Sequence, residues 1–160
     1  MTKPVHYKLL TQWKFNATPD DVWQAIGDPR IWSSWWHGVT VQVVPSNSSD
    51  FPEAARCTWH TPLGYNLTFI LTLTRQQAPT LSEFAASGEL MGNGTCRLTT
   101  DGQFTTVDIT WNVTTTKTWM NRFGALLGPA FRINHAWVMH SGEVSLAAWL
   151  KKVHFGNNPT

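Results

Sequence analysis

Thr18-Pro19-Asp20-Asp21-Val22-Trp23-Gln24-Ala25-Ile26-Gly27-Asp28-Pro29-Arg30-Ile31-Trp32-Ser33-Ser34-Trp35-Trp36-His37-Gly38-Val39 is the stretch on which the reading of the fold turns. Thr18 is a good N-cap, Pro19 suits the first helical position, and Asp20 and Asp21 sit where a helix dipole favours negative charge. Val22, Trp23 and Ile26 supply an apolar side, and Gly27 is placed to end the helix. Asp28-Pro29 repeats the start signal for a second short helix through Ile31, Trp32, Trp35 and Trp36, with Gly38 at its end.

Outward from these helices the pattern is strand. Upstream, Tyr7, Leu9, Trp13 and Phe15 share one parity and Lys8, Gln12 and Lys14 the other, the period of a half-buried strand over 5–16. Downstream, runs at 39–44, 55–61, 66–76, 80–90, 95–100 and 103–116 bring the number of strands to seven. Gly92-Asn93-Gly94 reads as a turn or bulge between two of them. Asp101-Gly102 is the strongest hairpin signal. Connections this short require antiparallel neighbours. After Lys117 the pattern changes to Trp119-Met120-Asn121-Arg122-Phe123, a Gly124 and Gly128-Pro129 interruption, and roughly twenty residues of helix. On that helix Ile133, Trp137, Val144 and Ala148 share one face, while Phe131, Val138, Leu146, Trp149 and Leu150 spread round a second. A helix apolar on two sides is expected to be buried on two sides.

Composition narrows the classes. The 160 residues include ten tryptophans, and the net charge is +2 from 12 Lys+Arg against 10 Asp+Glu. That charge provides no field for nucleic acid. Charged residues are 14% of the chain, against about 25% in an ordinary domain. No apolar run reaches the 18 or so residues of a membrane span. Met1 to His6 holds no apolar segment of a secretory signal, and Cys57 and Cys96 form no CxxC pair, so a cytoplasmic protein is expected. With no linker or repeat, residues 1–160 read as one domain.

The order of strand, two short helices, six strands and a long C-terminal helix resembles the helix-grip fold of the START/Bet v 1-like (SRPBCC) superfamily. The stretch Thr18–Val39 looks like the opening signature of that group. Trp111-Asn112-Val113-Thr114-Thr115-Thr116-Lys117-Thr118-Trp119-Met120-Asn121 and Asn134-His135-Ala136-Trp137-Val138-Met139-His140-Ser141-Gly142-Glu143 look like its polyketide cyclase/dehydrase-like branch. The similarity covers residues 5–152. It implies an α+β fold, a seven-stranded antiparallel sheet curled around the C-terminal helix. It implies relatives that bind lipids, sterols or other apolar ligands, and a few aromatase/cyclases. An acidic residue often follows the histidine of the C-terminal motif in that branch; here the position is Ala136.

Geometry then predicts a hollow. Seven strands span about 30 Å, whereas one helix covers about 10 Å. The expected wall on the sheet is Trp13, Trp59, Phe69 and Trp111. The C-terminal segment adds Met120, Phe123, Phe131, His135, Val138 and Gly142. A glycine in a helix interior costs about 1 kcal/mol relative to Ala, so Gly142 implies the close approach of a strand or ligand. Indoles either plug this interior or wall an aromatic slot, and composition does not choose between them.

Three functions are implied by these residues together with the resemblance. The first is binding of a small hydrophobic or aromatic ligand, lipid-like or polyketide-like, between sheet and C-terminal helix. The second is a polyketide cyclase, aromatase or dehydratase with His135 as acid/base; its alternative role is a structural histidine. The third is a partner surface formed by exposed Trp35 and Trp36. No metal site is expected, because His135 and His140 are five residues apart and no HExxH occurs. No cofactor is expected, since neither a P-loop nor a dinucleotide fingerprint is present. His37, His60, Glu83, Glu89 and Asp108 are expected to face water, though a reversed register would bury Glu83 as a general base. Residues 119–129 read either as a mobile gate or as the kinked start of the helix. Either a monomer or a homodimer fits.

Overall fold

Alternation along His6–Phe15 becomes strand β1, with Tyr7, Leu9, Trp13 and Phe15 buried and Lys8, Leu10, Gln12 and Lys14 exposed. The computed structural model describes residues 3–156; Met1, Thr2 and 157–160, the ends of the expected 1–160 span, lie outside the described residues. Helix α1 (Pro19–Ile26) starts as read, the Thr18 hydroxyl accepting from the Asp21 N–H at 3.2 Å. Asp28 caps a 3-10 turn (Pro29–Ile31) by accepting from the Arg30 N–H at 3.0 Å, and α2 (Trp32–Trp35) follows directly.

Strands β2 (Val39–Pro45), β3 (Glu53–His60), β4 (Asn66–Gln77), β5 (Leu81–Gly88), β6 (Leu90–Thr100) and β7 (Thr105–Thr115) complete the sheet. All neighbouring pairs are antiparallel, in the order β1-β7-β6-β5-β4-β3-β2. A short helix α3 (Thr118–Arg122) leads into α4 (Gly124–Gly156), 33 residues long. This is the helix-grip arrangement. Among the described residues no helix is long and apolar enough to cross a membrane.

Several expectations are corrected. The β5–β6 turn lies at Gly88-Glu89, and Gly92-Asn93-Gly94 runs inside β6. Gly94 is needed there for space. It pairs with Phe84 on one side and Trp111 on the other, and a Cβ on it would sit 2.5 Å from Cε2 of Phe84. With that space open, the Phe84 and Trp111 rings meet edge-on at 4.9 Å. Glu89, in the turn rather than on a strand, is no free surface carboxylate. It accepts from the Thr68 N–H at 2.6 Å and pairs with Lys117 at 3.1 Å.

Helix α4 begins before Gly128-Pro129 and carries Pro129 within it. It buries one face only: Phe131, Val138 and Leu146 are fully enclosed, while Ile133, Trp137, Val144 and Ala148 face outward. The sequence pattern is apolar on both sides, but the sheet is concave toward one. Trp35 and Trp36 are buried, so they form no surface patch. Three indoles of this region donate to backbone carbonyls: Trp32 to Ile26 at 3.1 Å, Trp35 to Ala25 at 3.3 Å and Trp36 to Val138 at 3.0 Å. Those bonds satisfy the indole nitrogens and allow the rings to go inside.

Candidate functional site

The interior is mostly filled by indoles. Trp35 stacks on Trp36 at 5.3 Å, Trp36 meets Trp13 edge-on at 5.4 Å, and Trp59 meets Trp111 edge-on at 6.0 Å. Between the two clusters lies a cavity of about 90 Å³. Its walls are Trp13, Trp36, Trp59 and Trp111, with Leu71, Phe84 and Ile109 of the sheet. Ile26, Gly27, Pro29 and Trp32 close it from the side of the short helices, and α4 contributes Met139. The tryptophans therefore plug one part of the hollow and wall another.

Beside the indoles, two side chains of the lining carry polar atoms. Ser82 and Cys96 line the cavity with a hydroxyl and a thiol. Burial first, and then the nearby Asp108, push the Cys96 thiol up to about 12, so it remains an inert, protonated group at neutral pH. The indole N–H of Trp13, whose ring lines the cavity, is wholly buried and has no hydrogen-bond partner among the described residues. An unpaired buried donor costs about 1–3 kcal/mol.

Outside the cavity lies a groove of about 310 Å³. The two share Gly27, Pro29, Leu71 and Leu73 as walls, so the groove lies against the cavity between the α1 end and strand β4. Its rim is polar: Asp28, Arg30, Asp50 and Glu53. Arg30 holds Asp28 through its Nε at 2.9 Å and its Nη2 at 3.0 Å, and this pairing pulls the Asp28 carboxyl below its usual range.

Of the residues predicted from sequence, the structure brings Trp13, Trp59 and Trp111 together on the cavity wall. Phe69 stands behind them, edge-on to Trp59 at 5.0 Å and to Trp111 at 5.9 Å. Val138 and Gly142 back the wall through Trp36: one accepts its N–H, the other lies under its ring. Phe131 packs on Tyr7 at 4.3 Å, away from the cavity. Met120 is buried beside a separate groove formed with Leu63, Tyr65 and Trp119, and Phe123 is exposed. The cavity thus sits nearer the short helices than predicted.

His135 does not line the cavity. It is buried behind Trp59, with ring centroids 5.9 Å apart, and its Nε2 has no partner among the described residues. Burial, helped by Arg132, lowers its pKa to about 4, so the ring is neutral at pH 7. Its neighbour Asn134 donates to the Tyr65 hydroxyl at 2.6 Å. His37 and His60 are exposed, and Glu83 faces Arg75 at 3.8 Å. Residues 118–129 are helical apart from a break at Phe123.

Sequence reading missed Trp32, Trp36, Phe84 and Met139 as wall residues. A usable signal existed for Phe84: it occupies the inward parity of its strand, and Gly94 opens the space its ring fills. No comparable signal marked Trp36, because its inward position depends on a carbonyl of α4 that is 102 residues distant.

Residues 8–142 match a family described as "Polyketide cyclase / dehydrase and lipid transport". No curated protein matches the chain. Among solved structures, the Zhui aromatase/cyclase from Streptomyces sp. R1128 is similar with a TM-score of 0.74 at 10% identity, over 92% of this chain and 95% of that one. Norcoclaurine synthase from Thalictrum gives 0.62 at 9% identity, over 96% and 99%. The di-domain aromatase/cyclase BexL, from the BE-7585A biosynthetic pathway, gives 0.67 at 13% identity over 89% of this chain. The chain spans about half the length of BexL, 49%. At these identities the likeness is one of fold.

Proposed function

The chain belongs to the polyketide cyclase/dehydrase and lipid transport family, and we propose that it binds a small apolar or aromatic ligand, ring first, in the tryptophan-walled cavity. The observation that supports this reading is that an indole-lined cavity and a polar-rimmed groove share one wall, Gly27, Pro29, Leu71 and Leu73. Apolar walls with a few polar groups are the usual make-up of a small-molecule site. The cavity alone is smaller than the roughly 150 Å³ that accepts benzene. A ring therefore enters by displacing a wall, and Trp32 and the Gly27–Pro29 segment are among its half-exposed parts.

Binding is favoured over turnover. His135, the acid/base in the cyclase reading, is separated from the cavity by the Trp59 ring, and a pKa of about 4 makes it a weak base at neutral pH. We place the protein in the cytoplasm, where free thiols such as those of Cys57 and Cys96 stay reduced.

Titration of the purified protein with 1-naphthol, followed by calorimetry, tests the reading. Ser82→Leu, which fills the cavity from β5, should weaken binding at least about tenfold, the loss expected when an apolar ring no longer fits. Equal affinity in the variant, or no binding to the parent protein, would refute it.

A further inference from the structure

Helix α4 is apolar on two faces and the domain covers one. On the other, Leu126 is 78% exposed, Ile133 66%, Val144 56% and Trp137 44%. At 100° per residue these four and the exposed His140 fall in a stripe about 60° wide and about 27 Å long. Single exposed apolar residues are ordinary, whereas a continuous stripe marks a contact surface.

The charges beside the stripe indicate what fits it. Between Leu126 and Val144 the charged side chains are Arg132 and Glu143, one of each sign. Both lie on the same flank, about 80–100° round the helix from Ile133. Arg132 is exposed, its guanidinium held over the Tyr7 ring at 5.5 Å. We infer that a second copy of this chain covers the stripe, packing its own α4 antiparallel across a twofold axis at Trp137.

A twofold axis lying in the contact plane keeps each flank on its own side while reversing the helix direction. Residue numbers that sum to about 275 then face one another. Arg132 meets Glu143 of the second copy, and Glu143 meets its Arg132. Ile133 meets Val144, Leu126 meets Ala148, and Trp137 meets Trp137. Such reciprocal pairing is the signature of an isologous contact. A parallel pairing sets the Arg132–Glu143 flank against the Ser141 flank and forms neither ion pair. A uniformly anionic surface would find Glu143 opposing it. The stripe, about 27 Å by 10 Å, buries roughly 540 Å² over the two copies, well below a standard interface, so the dimer is weak and transient, with a dissociation constant on the order of 100 μM.

Sedimentation velocity of the full chain from about 1 to about 500 μM brackets that value. The expected result is a monomer at the low end and a dimer at the high end. Glu143→Arg and Arg132→Glu, both surface changes, should each weaken the dimer about tenfold by turning two attractive pairs repulsive. The double exchange Arg132→Glu/Glu143→Arg should restore it. Ile133→Glu should abolish it, with far-UV circular dichroism confirming the fold. A monomer throughout, an unaffected single reversal, or a double exchange that restores nothing would overturn the inference. So would a monomer that co-sediments with phosphatidylserine vesicles and loses that binding in Ile133→Glu, which would assign the stripe to a bilayer.

Discussion

The indole of Trp36 lies directly against the backbone of Gly142: a Cβ at that position would sit 2.7 Å from Cε2 of Trp36 and 2.9 Å from Cζ2 of Trp13. The same indole donates to the carbonyl of Val138, four residues earlier on α4. Gly142 is therefore the place where α2, β1 and α4 are pressed together. Gly142→Ala gains about 1 kcal/mol of helix propensity but forces two buried rings apart, an overpacking cost of about 1–3 kcal/mol. We expect a net loss of stability in urea unfolding. A stabilised variant would mean that the rings yield without cost.

Two tryptophans with different bonding offer an internal comparison. Trp36→Phe removes a ring and a hydrogen bond to Val138, whereas Trp13→Phe removes a ring whose N–H has no partner among the described residues. Both are buried. Trp36→Phe should be the more destabilising by about 1 kcal/mol, the net worth of one such bond. Equal losses in chemical denaturation would mean that the Trp13 nitrogen is bonded in solution.

His135 makes stability depend on pH. Its pKa is lowered in the folded protein to about 4 from an ordinary 6.5, chiefly by burial. Below pH 6.5 the unfolded chain takes up a proton that the folded chain refuses, so stability falls as pH drops from about 6.5 toward 4. The loss is at most about 3 kcal/mol. His135→Gln should lose less stability than the parent between pH 7 and pH 4.5. Parallel pH profiles for the two proteins would contradict a neutral, buried imidazole.

Both cysteine thiols are pushed up to about 12, each chiefly by burial. At pH 8 neither should react with a disulfide reagent on the timescale of a free thiol, and both should react fully in denaturant. Rapid labelling of one native thiol would show that its wall opens.

Local rules carried most of the fold. Thr18 and Asp28 cap the helices that their side chains announce, and the parity of Tyr7, Leu9, Trp13 and Phe15 is the parity of burial. What escaped was long-range. Trp36 reads as a surface residue because nothing nearby in sequence reveals the carbonyl of Val138 that receives its N–H, and Trp35, bonded to Ala25 ten residues back, is carried inside by stacking on it. Gly92 and Gly94 read as a turn because glycine serves close packing as well as reversal, and only the Asn112 backbone beside Gly92 and the Phe84 ring beside Gly94 decide between the two. Ile133 and Val144 read as core because a hydrophobic pattern reports the wish to be covered, not by whom.

The strand order has a bearing on how the chain comes to be built. Among the described strands β1 is hydrogen-bonded to β7 alone, so His6 waits for Thr114, 108 residues later. A ribosome adds about 5–20 residues per second, so the nascent first strand stays without its neighbour for roughly 5–20 s, while the β2–β7 meander can zip together hairpin by hairpin. Newly made protein is thus born with an open sheet margin, and its vulnerability to misassembly is concentrated in that interval.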